Sequence, residues 1–294
     1  MALTPVSESV ERGIKEEEIT TISVSTAFNP SSHPQPPDTI FRTSDGVWFY
    51  GHLKYLIAKS PRAFQTVLGA PLSTSRFRDG PIPIDIPSAE FNIIMHMLYG
   101  SSPAAHSPSF ETMVQAVDRL PLLDIEPKLY ILPNTPLYSQ FLSYTPLRPL
   151  DIYSMAGHHD LYDLAARCSS QLLSLSLSSI TDEQAERMGA IYLKRLLVLH
   201  INRIQELRTI LMKVPEFHPA VKGCSFTDQK AVSRAWALGS ASLIWDAHPD
   251  LSTGIIKTSL GQLSEHLTCE LCKTALQDRV KEVISRWTSV TRTI

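Results

Sequence analysis

The sequence predicts an α+β chain: a small sheet covered by helices in the N-terminal part, followed by an all-α C-terminal region. Three observations predict it. Two β-branched and aromatic runs, residues 39–43 and 47–50, flank Asp45-Gly46, a pair that favours a tight hairpin because Gly reaches positive φ without steric cost. One further short run, Pro83-Ile84-Asp85-Ile86-Pro87, is proline-bound and suits only an edge strand. Elsewhere apolar residues recur at helical spacing, from Leu53 to Trp287.

Composition bounds the rest. The chain has 294 residues, 43% of them hydrophobic and 19% charged, enough for one large or two modest domains with a real core. Lys plus Arg is 27 and Asp plus Glu is 29; a net charge of −2 argues against direct nucleic-acid binding, which phosphate neutralisation drives. No apolar run approaches the ~18 residues needed to span a bilayer, so no membrane role is expected. Met1 to Glu8 lacks a basic region followed by an apolar core, unlike a secretory signal. Four cysteines without such a signal suggest free thiols in a reducing compartment, cytoplasmic or nuclear.

The elements follow in order. Residues 1–35 read as a disordered tail and proline-rich linker, with a charge run at Lys15-Glu16-Glu17-Glu18. Within it, residues 19–28 alternate enough to add a strand to a sheet edge, but a mobile tail is the preferred reading. After the hairpin, Leu53, Leu56 and Ile57 share a helical face. Ser60-Pro61 opens a helix expected to stop at Gly69, since Ser is a good N-cap and Pro fits the first helical position. Residues 70–80, with Arg76 and Arg78, read as a solvated loop. Ser88 caps a helix carrying Phe91, Ile94, Met95 and Leu98. A Ser/Pro loop at 101–109 precedes a helical stripe of Phe110, Met113, Val114, Val117 and Leu120.

Residues 133–149 hold prolines at 133, 136, 146 and 149 and read as a connector. Residues 151–173 look helical. Thr181-Asp182-Glu183-Gln184 is a capping box opening a long helix whose apolar face is carried by Ile191, Leu193, Leu196, Leu197, His200, Ile204, Leu207 and Leu211. Pro215 and Pro219 end it. Trp236 and Trp245, with Leu238, Leu243 and Ile244, mark a buried helix that His248-Pro249 breaks. Two more helices follow, one on Ile255, Ile256, Leu260, Leu263 and Leu267, the other from Leu271 to Trp287.

The order of features from Asp38 to Gly100 resembles a BTB/POZ domain. The residues carrying the likeness are Asp38, Asp45-Gly46, Phe49, His52, Leu53, Leu56, Ser60-Pro61-Arg62-Ala63-Phe64 and Leu98-Tyr99. It covers roughly residues 36–132, with a helical C-terminal domain at 150–294, and the whole chain resembles fungal BTB proteins of that type. The resemblance implies a BTB/POZ fold, homodimerisation and a non-enzymatic adaptor that binds protein partners. It extends to a cullin-type ubiquitin-ligase scaffold as a candidate partner. The alternative is a nuclear regulator or scaffold that self-associates with no ligase role. In the resemblance His52 is architectural, at the junction of strand and helix.

Two constellations bear on chemistry. Cys269-Glu270-Leu271-Cys272 is a single C-x-x-C; zinc there would need Cys224 and a histidine, His218 or His266, to converge. Two thiols three residues apart on a helix packing face explain the pattern as well, so no metal ligand is assigned; a zinc or redox protein built on Cys269 and Cys272 is the less favoured alternative. Gly157-His158-His159-Asp160 reads as a surface cluster, because neighbouring residues on a helix point apart. There is no G-x-S-x-G, G-x-x-x-x-G-K-[ST], G-x-G-x-x-G or H-E-x-x-H motif. The reading is of no enzyme, no catalytic residue and no cofactor.

Overall fold

The computed structural model describes residues 22–68 and 80–294. The chain is mostly helical with one small three-stranded sheet, in keeping with the α+β expectation. It divides into two compact units, Met1–Asn92 and Ile93–Ile294. The division falls well before the boundary that the sequence suggests at residue 132.

In the first unit, β1 (Thr39–Arg42) pairs antiparallel with β2 (Trp48–Gly51) and parallel with β3 (Ile82–Pro83), giving the order β2-β1-β3. Gly46 takes φ +83° in the turn, as the Asp-Gly pair requires. Phe41 stands opposite Phe49 across the ladder, and both side chains are buried. With Phe64 and Phe91 they form an aromatic core at centroid distances of 5.1–6.3 Å. Contacts of this kind are worth about 0.5–1.5 kcal/mol each beyond area burial. α1 (Leu53–Lys59) buries Leu56. The helix expected from Pro61 is only α2 (Gln65–Leu68), because Phe64 adopts φ +64° and breaks the path after a turn. Its expected stop at Gly69, and the loop with Arg76 and Arg78, lie outside the described residues.

The described part of the expected tail, residues 22–35, is ordered against the sheet. Trp48 N–H donates to Ser23, Ser25 N–H to Trp48 and Tyr50 N–H to Phe28, so residues 23–28 run beside β2. Phe28 is buried 6.2 Å from Phe49. Over the described part of 19–28, the alternation corresponds to a sheet-edge segment at residues 23–28. Residues 1–21 of that tail lie outside the described residues. α3 (Ser88–Tyr99) carries the division between the units.

The second unit is helical. α4 (Phe110–Arg119) follows a short 3-10 turn at Pro103–His106. The expected connector is itself built: α5 (Pro136–Tyr144) starts with its proline in the first turn and buries Leu137, Tyr138 and Phe141. α6 (Pro149–His158) and α7 (Tyr162–Ser169) fill the region read as helical, separated where Asp160 takes φ +54°. α8 (Asp182–Met212) opens on the expected capping box: Thr181 Oγ1 accepts from Gln184 N–H, and Gln184 Oε1 accepts from Thr181 N–H. It is interrupted at Gly189, φ +73°.

α9 (Phe226–Trp245), α10 (Thr253–Gly261) and α11 (Glu270–Ser289) then pack with the end of α8 around Leu207, Trp236, Leu260, Leu276, Val283 and Trp287. The buried stripe of α8 runs through Tyr192, Leu196, Leu199, Arg203 and Leu207, which leaves Ile191 67% exposed. On α9, Trp236 is buried but Trp245 is 89% exposed, so the second tryptophan marks the helix end and not its core.

Candidate metal centre

Four residues from three chain segments meet in the second unit: His218, Cys224, Cys269 and Cys272, with their ligand atoms all within 4.8 Å of one another. Each is delivered by a local device that the sequence encodes.

Cys224 closes a two-residue turn. Val221 and Cys224 exchange backbone hydrogen bonds of 3.2 and 3.0 Å across Lys222-Gly223, and Gly223 takes φ +91°, a conformation that a Cβ would strain. Ser225 directly after it caps α9, in a capping box with Asp228. Cys269 occupies the N-cap position of α11, with extended backbone, and Cys272 lies in the first turn. The C-x-x-C therefore straddles a helix start and does not sit within a helix. Leaving the helix at Cys269 lets its sulfur and that of Cys272 point at one place.

His218 is held from two sides. Gln229, buried on α9, accepts from His218 N–H and donates to its carbonyl, both at 3.0 Å. The imidazole Nδ1 lies 2.7 Å from the Pro219 carbonyl, which can only accept. The proton is thereby assigned to Nδ1, leaving the Nε2 lone pair free to bind a ligand; a carbonyl on the remote nitrogen is the usual partner of a metal-binding histidine. Nε2 lies 3.2 Å from Cys272 Sγ and 3.5 Å from each of Cys224 Sγ and Cys269 Sγ. Cys224 and Cys272 sulfurs are 3.6 Å apart.

Thiol acidities differ within the cluster. The Cys272 backbone N–H, pointing at the Cys269 sulfur, draws that thiol down to about 7. Burial pushes the Cys272 thiol up to about 12 and raises Cys224 as well. Without a cation nearby, three thiolates at this spacing repel one another; a bound divalent ion reverses that balance. The cavity beside Cys272, lined also by Pro215, Phe217 and Gln229, is about 10 Å³, on the scale of a single water.

The cluster brings Cys224, a histidine and the C-x-x-C together, the convergence that the sequence reading required of a zinc site. It selects His218; His266 lies outside it, exposed at the end of the 3-10 turn Gln262–His266. Cys168 is a separate buried thiol on α7. A second grouping, Asp118, His158 and His159, is an ion-pair hub. Asp118 accepts from His159 Nε2 at 2.8 Å and from Arg187 at 2.8 and 3.0 Å. Burial pushes its carboxyl up, but the hydrogen bonds from His159 and Arg187 outweigh it and hold it below its ordinary value. A cleft of about 1150 Å³ runs along α8 and the segment 289–294. Two of its cations are engaged: Arg195 covers the rings of Tyr162 and Tyr192, and Arg203 binds backbone carbonyls.

The residues carrying the sequence resemblance occupy structural positions in the first unit. Asp38 accepts from Leu53 N–H at 2.6 Å and so caps the entry to α1, beside half-buried Leu53. Asp45 ties the hairpin to the start of α3, accepting from Ser88 N–H at 3.1 Å and Ser88 Oγ at 2.6 Å. Those bonds, with one from Thr43, lower its carboxyl against the effect of burial. His52, just before α1, places Nε2 3.0 Å from the Gln35 carbonyl and is partly exposed. Leu56, Phe49 and Phe64 are core, and Ser60 N–H donates to Leu56 at the end of α1. Tyr99, half-buried, ends α3 in the second unit.

Among the described residues no helix is long and apolar enough to cross a membrane. Compared with known proteins, the chain matches no family model, no curated protein and no solved structure.

Proposed function

We propose that the chain is a non-enzymatic protein–protein interaction adaptor whose first unit works as a BTB/POZ-like module. The observation carrying this reading is the connectivity of that unit. A tight hairpin is followed by two short helices and by a third strand that returns parallel to β1, in the order β2-β1-β3. This is the order of elements that the residues from Asp38 to Tyr99 lead one to expect. Fold alone does not fix function, so the adaptor role rests on that likeness.

Self-association is the use of the module that is easiest to test. Residues 23–28 already lie along the outer edge of β2, so a second copy pairs through helical faces or displaces that segment. Light scattering on a sizing column measures this directly. The adaptor reading expects twice the 32.8 kDa chain mass, and co-elution with a cullin N-terminal domain if the partner is a ubiquitin-ligase scaffold. A dimer that ignores the cullin moves the function to a regulator or scaffold without a ligase role. A monomer that binds no cullin overturns both uses.

A further inference from the structure

We propose that His218, Cys224, Cys269 and Cys272 bind one zinc ion as a closed structural site. The distances carry the argument. A tetrahedral zinc with bonds of about 2.3 Å to sulfur and about 2.0 Å to nitrogen sets its sulfurs about 3.8 Å apart and each sulfur about 3.5 Å from the nitrogen. The cluster has 3.6 Å between the Cys224 and Cys272 sulfurs, and 3.5, 3.5 and 3.2 Å from His218 Nε2 to the three sulfurs. The space between the four atoms is thus the size of the ion.

The donor set selects the metal. Three thiolates and one imidazole in tetrahedral array suit zinc, whereas magnesium and calcium require oxygen. A disulfide between Cys224 and Cys272 is the rival use of two close thiols. It leaves unexplained why a third thiol and a correctly protonated imidazole converge on the same point. On binding, each thiol proton still present passes to solvent, and the zinc dication with three thiolates and neutral histidine carries a charge of −1. The Cys272 N–H directed at Cys269 offsets part of that charge, as does the N-terminal end of α11.

All four positions are taken by protein, and Cys224 and Cys272 are buried. No open coordination site faces a substrate, so the ion is structural and not catalytic. Its work is to tie the segment between α8 and α9 to the start of α11.

Metal analysis of full-length, tag-free protein tests this. The expected result is one zinc per chain that survives dialysis, with the thiol count showing four reduced cysteines. Cys272→Ser and Cys224→Ser should each lose at least tenfold in zinc content, while Cys168→Ser and His266→Ala should keep one equivalent. If a ligand variant fails to fold, titrating the wild-type protein with a mercurial thiol reagent, with a colorimetric zinc indicator present, replaces it: one zinc should be released as three thiols react. Zinc that washes out on dialysis, zinc that persists in Cys272→Ser, or a protein isolated metal-free with a Cys224–Cys272 disulfide would each overturn the proposal.

Discussion

Arg203 and Arg279 are buried arginines that hold the helical unit by donating to main-chain carbonyls. Arg203 lies over the Trp287 ring at 4.2 Å and donates to Pro249, Val290 and Thr291. Burial lowers its pKa to about 10, well short of discharging it near neutral pH. Arg279 caps the end of α8 through the Ile210 and Lys213 carbonyls and pairs with Glu282 at 2.7 Å. Hydrogen bonds from a charged donor contribute about 1.5–3 kcal/mol each, and truncation leaves buried acceptors unmet. Arg203→Ala should therefore cost about 2–4 kcal/mol, read as a fall in the urea midpoint with little change in slope. An unchanged midpoint would show that the clamp contributes nothing. Little of this was legible in the sequence. An arginine between Leu199 and Leu207 reads as a charged interruption, and its acceptors lie 46 and 87 residues away. The candidate ligands were more legible, since the C-x-x-C and Cys224 stand out by residue type. Their convergence was not, because it depends on how the start of α9 meets the start of α11. The choice of His218 over His266 depends on Gln229, which no motif flags.

At the scale of elements, close packing of α6 on α8 rests on Gly157. A Cβ there would come within 2.6 Å of the Met188 carbonyl oxygen and 3.1 Å of Tyr192 Cβ. Backbone cannot yield as a flexible side chain can, so Gly157→Ala should be destabilising in spite of its higher helix propensity. Overpacking of this kind costs about 1–3 kcal/mol, which for a unit of this size lowers the thermal midpoint by several degrees. Calorimetry showing an unchanged or raised midpoint would mean that the two helices slide apart at no cost. Helix starts were the most legible elements. Thr181 and Gln184 announce α8 by side-chain chemistry alone, whereas the box at Ser225 and Asp228 departs from the usual Glu or Gln and passes unnoticed. Breaks inside helices were illegible. Phe64 adopts positive φ, which its residue type does not advertise, so the helix expected from Pro61 starts only at Gln65, and Asp160 at positive φ follows the end of α6. The exposed Trp245 shows the converse limit: apolar character alone does not say which turn of a helix faces the core.

At the scale of the molecule, the chain joins an N-terminal unit built on a small sheet to a helical unit with its own core. The α+β class and the hairpin followed from patterning within short windows. The unit boundary did not, because residues 133–149 look like a linker by proline content yet use Pro136 to begin a packed helix. The proposed zinc fits this second unit, where the segment between α8 and α9, residues 213–225, buries only Pro215 and Cys224. Binding energy at such a site is folding energy, so the helical unit should lose order on chelation while the aromatic core of the first unit survives. The most direct test is zinc K-edge X-ray absorption on the purified full-length chain. The account predicts a first shell of three sulfurs at about 2.3 Å and one nitrogen at about 2.0 Å. A shell of oxygen and nitrogen alone, or of four sulfurs, would contradict it.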